Sequence, residues 1–227
     1  MSSVVDVCNL ALSHIGDEAT VTSISPPEGS PQAGHCARFY PMARNALLTK
    51  YTWSFATRRV DLALLTLTPP VGWLYAYSLP NGCLKPLCVL APEDASEAFF
   101  MSMIGRDTAD LFPAGHPDNN HQQFVIEADS TGALVLYTNI ENAILVYIHE
   151  TSDTTRWTPL AILALARLLA SYLAGPIIKG TEGMAVAKGQ LQAFMAAEYP
   201  QATSDDGQRR QQNVYADVVA SSVSARL

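Results

Sequence analysis

The sequence predicts an α+β protein: a bundle of about four helices, a small antiparallel β module inserted between its halves, and an extended C-terminal arm. Three observations carry this. Apolar residues recur at helical spacing towards both ends of the chain, short apolar runs separated by turn residues fill the middle, and the stretch from Gln201 onward turns polar. The expected boundaries are residues 1–60 and 152–200 for the helical body, 61–151 for the β module and 201–227 for the arm.

Val4, Val5, Cys8, Ala11, Leu12 and Ile15 fall on one helical face, with Asp6 suiting the N-terminal dipole and Gly16 supplying the stop. Residues 17–31 are rich in Ser, Thr, Pro and Gly and read as a loop with a short extended piece at Val21–Ile24. Ser30 then offers an N-cap and Pro31 a first helical residue; Cys36, Phe39 or Tyr40, Ala43 and Leu47 mark a second helix. Pro41 interrupts that pattern, so a kink or a helix in two pieces is expected.

From Trp53 the periodicity changes. Tyr75–Leu79 and Leu84–Ala91 read as strands around Pro80-Asn81-Gly82, with Pro86 suiting an edge or bulge. Phe124–Glu127 and Leu134–Tyr137 flank Ser130-Thr131-Gly132, a second hairpin signal, and Ile144–Ile148 is apolar throughout, hence a central strand. Helices return at Thr158-Pro159 and run to Leu173, with Gly175-Pro176 expected to end them. At about 16 residues, and carrying Arg167, this segment falls short of the roughly 20 needed to span a bilayer. It reads as a central helix packed by neighbours. A last helix begins at Thr181, with Met184, Lys188, Leu191 and Met195 on one line, and ends near Tyr199-Pro200.

Composition bounds the function. With 227 residues, 48% of them hydrophobic and 15% charged, the chain has ample material for a buried core. Its formal charge of -7 argues against a protein that wraps nucleic acid, which needs clustered Lys and Arg. An acidic wall would instead repel phosphates; simple solubility is the plainer meaning. Cys8, Cys36, Cys83 and Cys88 lack Cys-x-x-Cys spacing and follow no secretory leader, so free, buried thiols in a reducing compartment are expected. Burial as small hydrophobes is preferred to a Cys83–Cys88 disulfide.

The common catalytic signatures are absent: no Gly-x-Ser-x-Gly, phosphate loop, Gly-x-Gly-x-x-Gly or His-Glu-x-x-His. His116 and His121, with Asp118 between them, could ligate a metal, but the spacing is loose and an exposed contact loop is the preferred reading. Glu93, Asp94 and Glu97 could serve acid–base work or a divalent cation; a helix start is preferred. Arg58-Arg59 could face DNA or acidic partner groups, although two charges are too few for a tight duplex site. Trp53, Phe55, Trp73, Tyr75 and Tyr77 read as core staples before they read as a base-stacking platform.

Ala11-Leu12-Ser13-His14-Ile15-Gly16, then Tyr51-Thr52-Trp53-Ser54-Phe55-Ala56, Arg58-Arg59 and Gly72-Trp73-Leu74-Tyr75-Ala76-Tyr77-Ser78-Leu79-Pro80, form a pattern over residues 4–90. It resembles the head-to-tail adaptors of short-tailed bacteriophages, the tail tubular protein A type. The resemblance implies a helical bundle with a projecting β module and a dodecameric ring beneath the portal, through which genomic DNA passes without specific binding. It implies a virion neck protein assembled in the host cytoplasm, not an enzyme, with no catalytic, cofactor or metal residues. Its expected partners are other copies of itself, the portal, a tail nozzle or tail tubular protein B-like component, and tail fibres. The arm is expected to dock on the portal through Arg209, Arg210, Tyr215, Val218 and Val219, since Tyr and Arg are favoured at interface hot spots. The competing reading is a cytosolic ligand- or metal-binding enzyme domain using Glu93–Glu97 or His116–His121.

Overall fold

The computed structural model describes residues 3–92 and 123–208 and has the predicted α+β class. Helix α1 (Val4–His14) opens on a capping box: Ser3 Oγ accepts from Asp6 N at 3.1 Å and Asp6 Oδ2 accepts from Ser3 N at 2.7 Å. It buries Val7, Cys8, Ala11 and Leu12. In the following loop the Asn9 side chain pairs with both backbone groups of Val21, and the extended piece is reduced to a single bridge between Ile24 and Pro27. Helix α2 (Pro31–Lys50) starts at Ser30 as foreseen and is one element, not two, through Pro41. That proline lies on the exposed side, where water can meet the carbonyl it leaves unpaired.

Six strands form two three-stranded antiparallel sheets. The first pairs β1 (Thr57–Asp61), β6 (Ile144–His149) and β3 (Cys83–Leu90), with β6 in the middle. The second pairs β2 (Tyr75–Ser78), β5 (Leu134–Thr138) and β4 (Phe124–Ala128). Val89, Leu145 and Tyr147 of the first sheet meet Tyr77 and Leu136 of the second. The first sheet's other face puts Cys88, Val146 and Ile148 into the core of the helices. The layers are therefore helices, sheet, sheet, and β6 is apolar from Ile144 to Ile148 because both its faces are covered.

The Pro80-Asn81-Gly82 turn forms, but it does not join a hairpin: β2 pairs with β5, whereas β3 pairs with β6. The chain changes sheets there. Gly82, at φ 71°, sits so close to the end of β6 that an added Cβ would lie 2.9 Å from His149 Cε1, and its carbonyl accepts from Glu150 N at 2.7 Å. The β4–β5 hairpin does form, its turn held by Asp129 Oδ1, which accepts from the backbone of Thr131 and Ala133. The boundary expected at residue 61 also shifts, since β1 begins at Thr57.

Helix α3 (Pro159–Ile178) is capped by Thr158, whose Oγ1 accepts from Ala161 N at 3.1 Å. It does not stop at Gly175-Pro176 but runs on to Lys179, where a φ of 64° ends it. At 20 residues it is long and apolar enough to cross a membrane, so length does not separate the readings as expected. Packing does, for half of the span is buried and α1, α2 and the C-terminal helices all lie against it. Helix α4 (Gly180–Ala193) passes through a π-helical turn (Phe194–Glu198) directly into α5 (Tyr199–Gln208). In that turn Tyr199 N donates to Phe194 O, a wider register that brings the chain past Pro200 without a break.

Residues 201–208 consequently belong to the body and not to an arm. Ala202 and Asp206 are fully buried. Asp206 Oδ2 accepts from Ser54 N at 3.0 Å, Tyr51 Oη donates to Thr203 O, and Tyr199 Oη donates to Lys50 O. Helix α5 thus grips the junction where α2 hands over to β1.

Candidate functional site

The residues expected to act divide sharply by place. Arg209, Arg210, Tyr215, Val218 and Val219 of the arm lie outside the described residues, as do Glu93–Glu97 and the His116–His121 loop. Arg58 and Arg59 are described: both are exposed on β1, opposite Tyr147 and Val146 of β6. Burial, helped by the Arg58 charge and opposed by Glu150, holds His149 below its ordinary pKa. Of the five aromatic residues Trp53 and Tyr77 are core staples, whereas Phe55, Trp73 and Tyr75 are half-buried at the edge of the apolar clusters. Trp53 is buried with its Nε1 donating to Leu47 O at 3.0 Å, and a ladder runs Tyr51, Trp53, Phe55, Trp157 with centroid spacings of 4.9, 5.5 and 4.9 Å. Tyr77 is buried too, its hydroxyl donating to Ile140 O at 2.9 Å. Neither ring has a face left for a base to stack on.

Polar ties lock the layers together. Arg44, at the α2 side, pairs with Glu150 just after β6 and so joins helices to sheet. Arg167 on α3 donates through Nε to Glu198 and through Nη1 to Gln190, each at 2.8 Å, and Gln190 Nε2 donates to His14 O at 2.7 Å. Burial and the Arg167 guanidinium hold the His14 imidazole below its ordinary value, with Glu198 opposing. Among the described residues, no group of three His, Cys, Asp or Glu side chains is placed to hold a metal ion.

Two apolar surfaces stand out because, among the described residues, they are left exposed. The first is the tip of the β module. No charged residue occurs from Leu62 to Leu84, and in this run Leu64, Leu67, Val71 and Leu74 are exposed, Val71 fully. Leu65 N donates to Ala76 O and Ser78 N to Ala63 O, so the run begins as an extra edge on β2 before it projects. The second is α4. Of its residues only Gly183 is buried, set against Ala174 O of α3, while Met184, Lys188 and Leu191, with Met195 in the π-helical turn that follows, are exposed.

No protein-family model matches this chain, and neither does any curated protein. Its surfaces must therefore be read from their own chemistry. The spacing of Met184, Leu191 and Met195 is visible in the sequence, but periodicity does not say which way a stripe faces. The clue was the glycine opposite: the small residue marks the side where α4 approaches α3, which turns the large residues outward.

Proposed function

We propose that this protein is a structural adaptor that works through its interfaces, a head-to-tail connector of a short-tailed phage that forms a ring beneath the portal. The observation that supports it best is the pair of apolar surfaces, on α4 and on the β tip, that are exposed among the described residues of one well-packed body. Exposed apolar side chains gathered on single elements mark contact sites in soluble proteins. Met and Leu on α4 suit helix packing against a second copy; the uncharged β tip suits the next tail component. The net charge of -7 suits a channel wall past which DNA slides without sticking.

In this reading Arg209, Arg210, Tyr215, Val218 and Val219, which follow the last described residue, dock on the portal. Virion location, copy number and the nozzle as a partner belong to the same proposal. The test is mass photometry and negative-stain microscopy of the purified protein with and without portal rings. Monomers that become a ring on the portal, and a variant lacking residues 209–227 that stays folded but does not attach, are the expected results. A small oligomer indifferent to portal would overturn the proposal.

A further inference from the structure

The described asparagines are Asn9, Asn45, Asn81, Asn139 and Asn142, and all but Asn81 are held. Asn9 pairs with both backbone groups of Val21, and Asn45 Oδ1 accepts from Arg44 Nε. Asn139 Oδ1 accepts from Leu74 N, and behind Asn142 the buried Ala143 N donates to Tyr77 Oη. Asn81 is exposed at the corner of its turn, and its side chain makes no hydrogen bond to a described residue. The residue after it is Gly82, which has no Cβ to shield its nitrogen. Glu150 N donates to Gly82 O at 2.7 Å, but the reciprocal bond from Gly82 N to Glu150 O is absent, so that N–H stands free of the ladder. The turn itself is closed by the bond from Cys83 N to Pro80 O, at 3.2 Å.

We propose that Asn81 is a site of spontaneous covalent modification, converting through a cyclic imide with the Gly82 nitrogen into aspartate and isoaspartate. Solvent base removes the Gly82 amide proton, and the nitrogen attacks Asn81 Cγ. A C–N bond forms, the Cγ–Nδ2 bond breaks, and the side-chain amide leaves as ammonia. Water then opens the imide ring. Attack at Cγ restores the normal chain with an aspartate; attack at the main-chain carbonyl routes the backbone through the side chain as isoaspartate. One water is consumed, one ammonia is released, and no electrons change hands.

Its place in the fold makes the second product disruptive. The chain changes sheets at this turn, and Gly82 is wedged against the end of β6: an added Cβ would lie 2.9 Å from His149 Cε1 and 3.1 Å from His149 Nδ1. An extra main-chain carbon just before Gly82 therefore draws Gly82 O away from Glu150 N or pushes His149 aside. Glu150 also pairs with Arg44 of α2, so the disturbance reaches the tie between sheet and helices. Aspartate adds only a charge at an exposed corner.

All of this holds whether or not the protein is an adaptor. The freshly purified full-length protein is aged at mildly alkaline pH beside a synthetic peptide of residues 77–86. Samples are digested and mapped by mass spectrometry, and isoaspartate is scored with an isoaspartyl methyltransferase. The expected result is conversion at Asn81 on the timescale of the peptide, several-fold ahead of Asn9, Asn45, Asn139 and Asn142, faster as pH rises, with isoaspartate among the products. The aged protein should also melt below Asn81→Asp, which carries the charge without the extra carbon. Asn81 intact after the peptide has fully converted, or another described asparagine converting first, would overturn the proposal. An aged protein that melts together with Asn81→Asp would overturn the expected damage at the Gly82–Glu150 contact. Asn81→Gln, whose longer side chain closes a ring far more slowly, should keep its mass through the same ageing; if either variant does not fold, the wild-type time course decides alone.

Discussion

Asp206 is the residue on which the C-terminal helix turns. Its carboxylate is fully buried and accepts from both the backbone N–H and the hydroxyl of Ser54. Asp206→Ala leaves those donors without their acceptor and should cost about 2–3 kcal/mol, read as a lower denaturant midpoint at unchanged slope. His14 sets a second expectation. Its folded pKa lies below the ordinary 6.5, so the unfolded chain binds the proton more tightly and stability is lost as pH falls through that region. The thermal midpoint should therefore rise with pH up to about 6.5, and His14→Gln should flatten that rise, leaving the part due to His149, which is shifted the same way. A slope unchanged in His14→Gln would show that His14 contributes nothing to it. None of this was visible beforehand: Asp206 sat in a polar run that read as arm, because no local pattern distinguishes a solvated aspartate from one that meets a donor far back in the chain.

At the scale of single elements, α4 shows how much one small residue decides. A Cβ on Gly183 would lie 3.0 Å from Ala174 O, a backbone atom that cannot swing away. Gly183→Val should prise α4 from α3 at a cost of about 1–3 kcal/mol, measured by chemical denaturation. The opposite side of the same helix should behave differently. Met184→Glu combined with Leu191→Glu should stay within about 0.5 kcal/mol of the parent's stability, because both side chains face water in the free chain. The double variant should nevertheless fail to form rings on the portal; normal rings would remove α4 from the proposed interface. Capped helix starts at Ser30 and Thr158 are legible in the sequence because capping is local. Helix ends were less so: Gly175-Pro176 reads as a stop, yet tertiary packing carries α3 past it.

For the whole molecule, the layered arrangement makes the C-terminal segment part of the fold. Truncation after Pro200 removes Ala202, Thr203 and Asp206 from the junction at Tyr51–Ser54, whereas truncation after Gln208 keeps all three. The first variant should lose many degrees of thermal stability relative to the second. Equal midpoints would mean that α5 adds nothing to the body.

The sequence by itself determined the fold class, the starts of the helices, the central place of β6 and the β4–β5 hairpin. Each follows from spacing, caps or turn chemistry among residues close in the chain. Only the tertiary structure decided that β2 and β3 lie in different sheets, that residues 201–208 are body, and that the Met184 stripe faces solvent. These depend on which surfaces bury one another across long stretches of chain. Hydrophobic burial has no direction along the sequence, so local pattern can mark a face as apolar without saying what covers it.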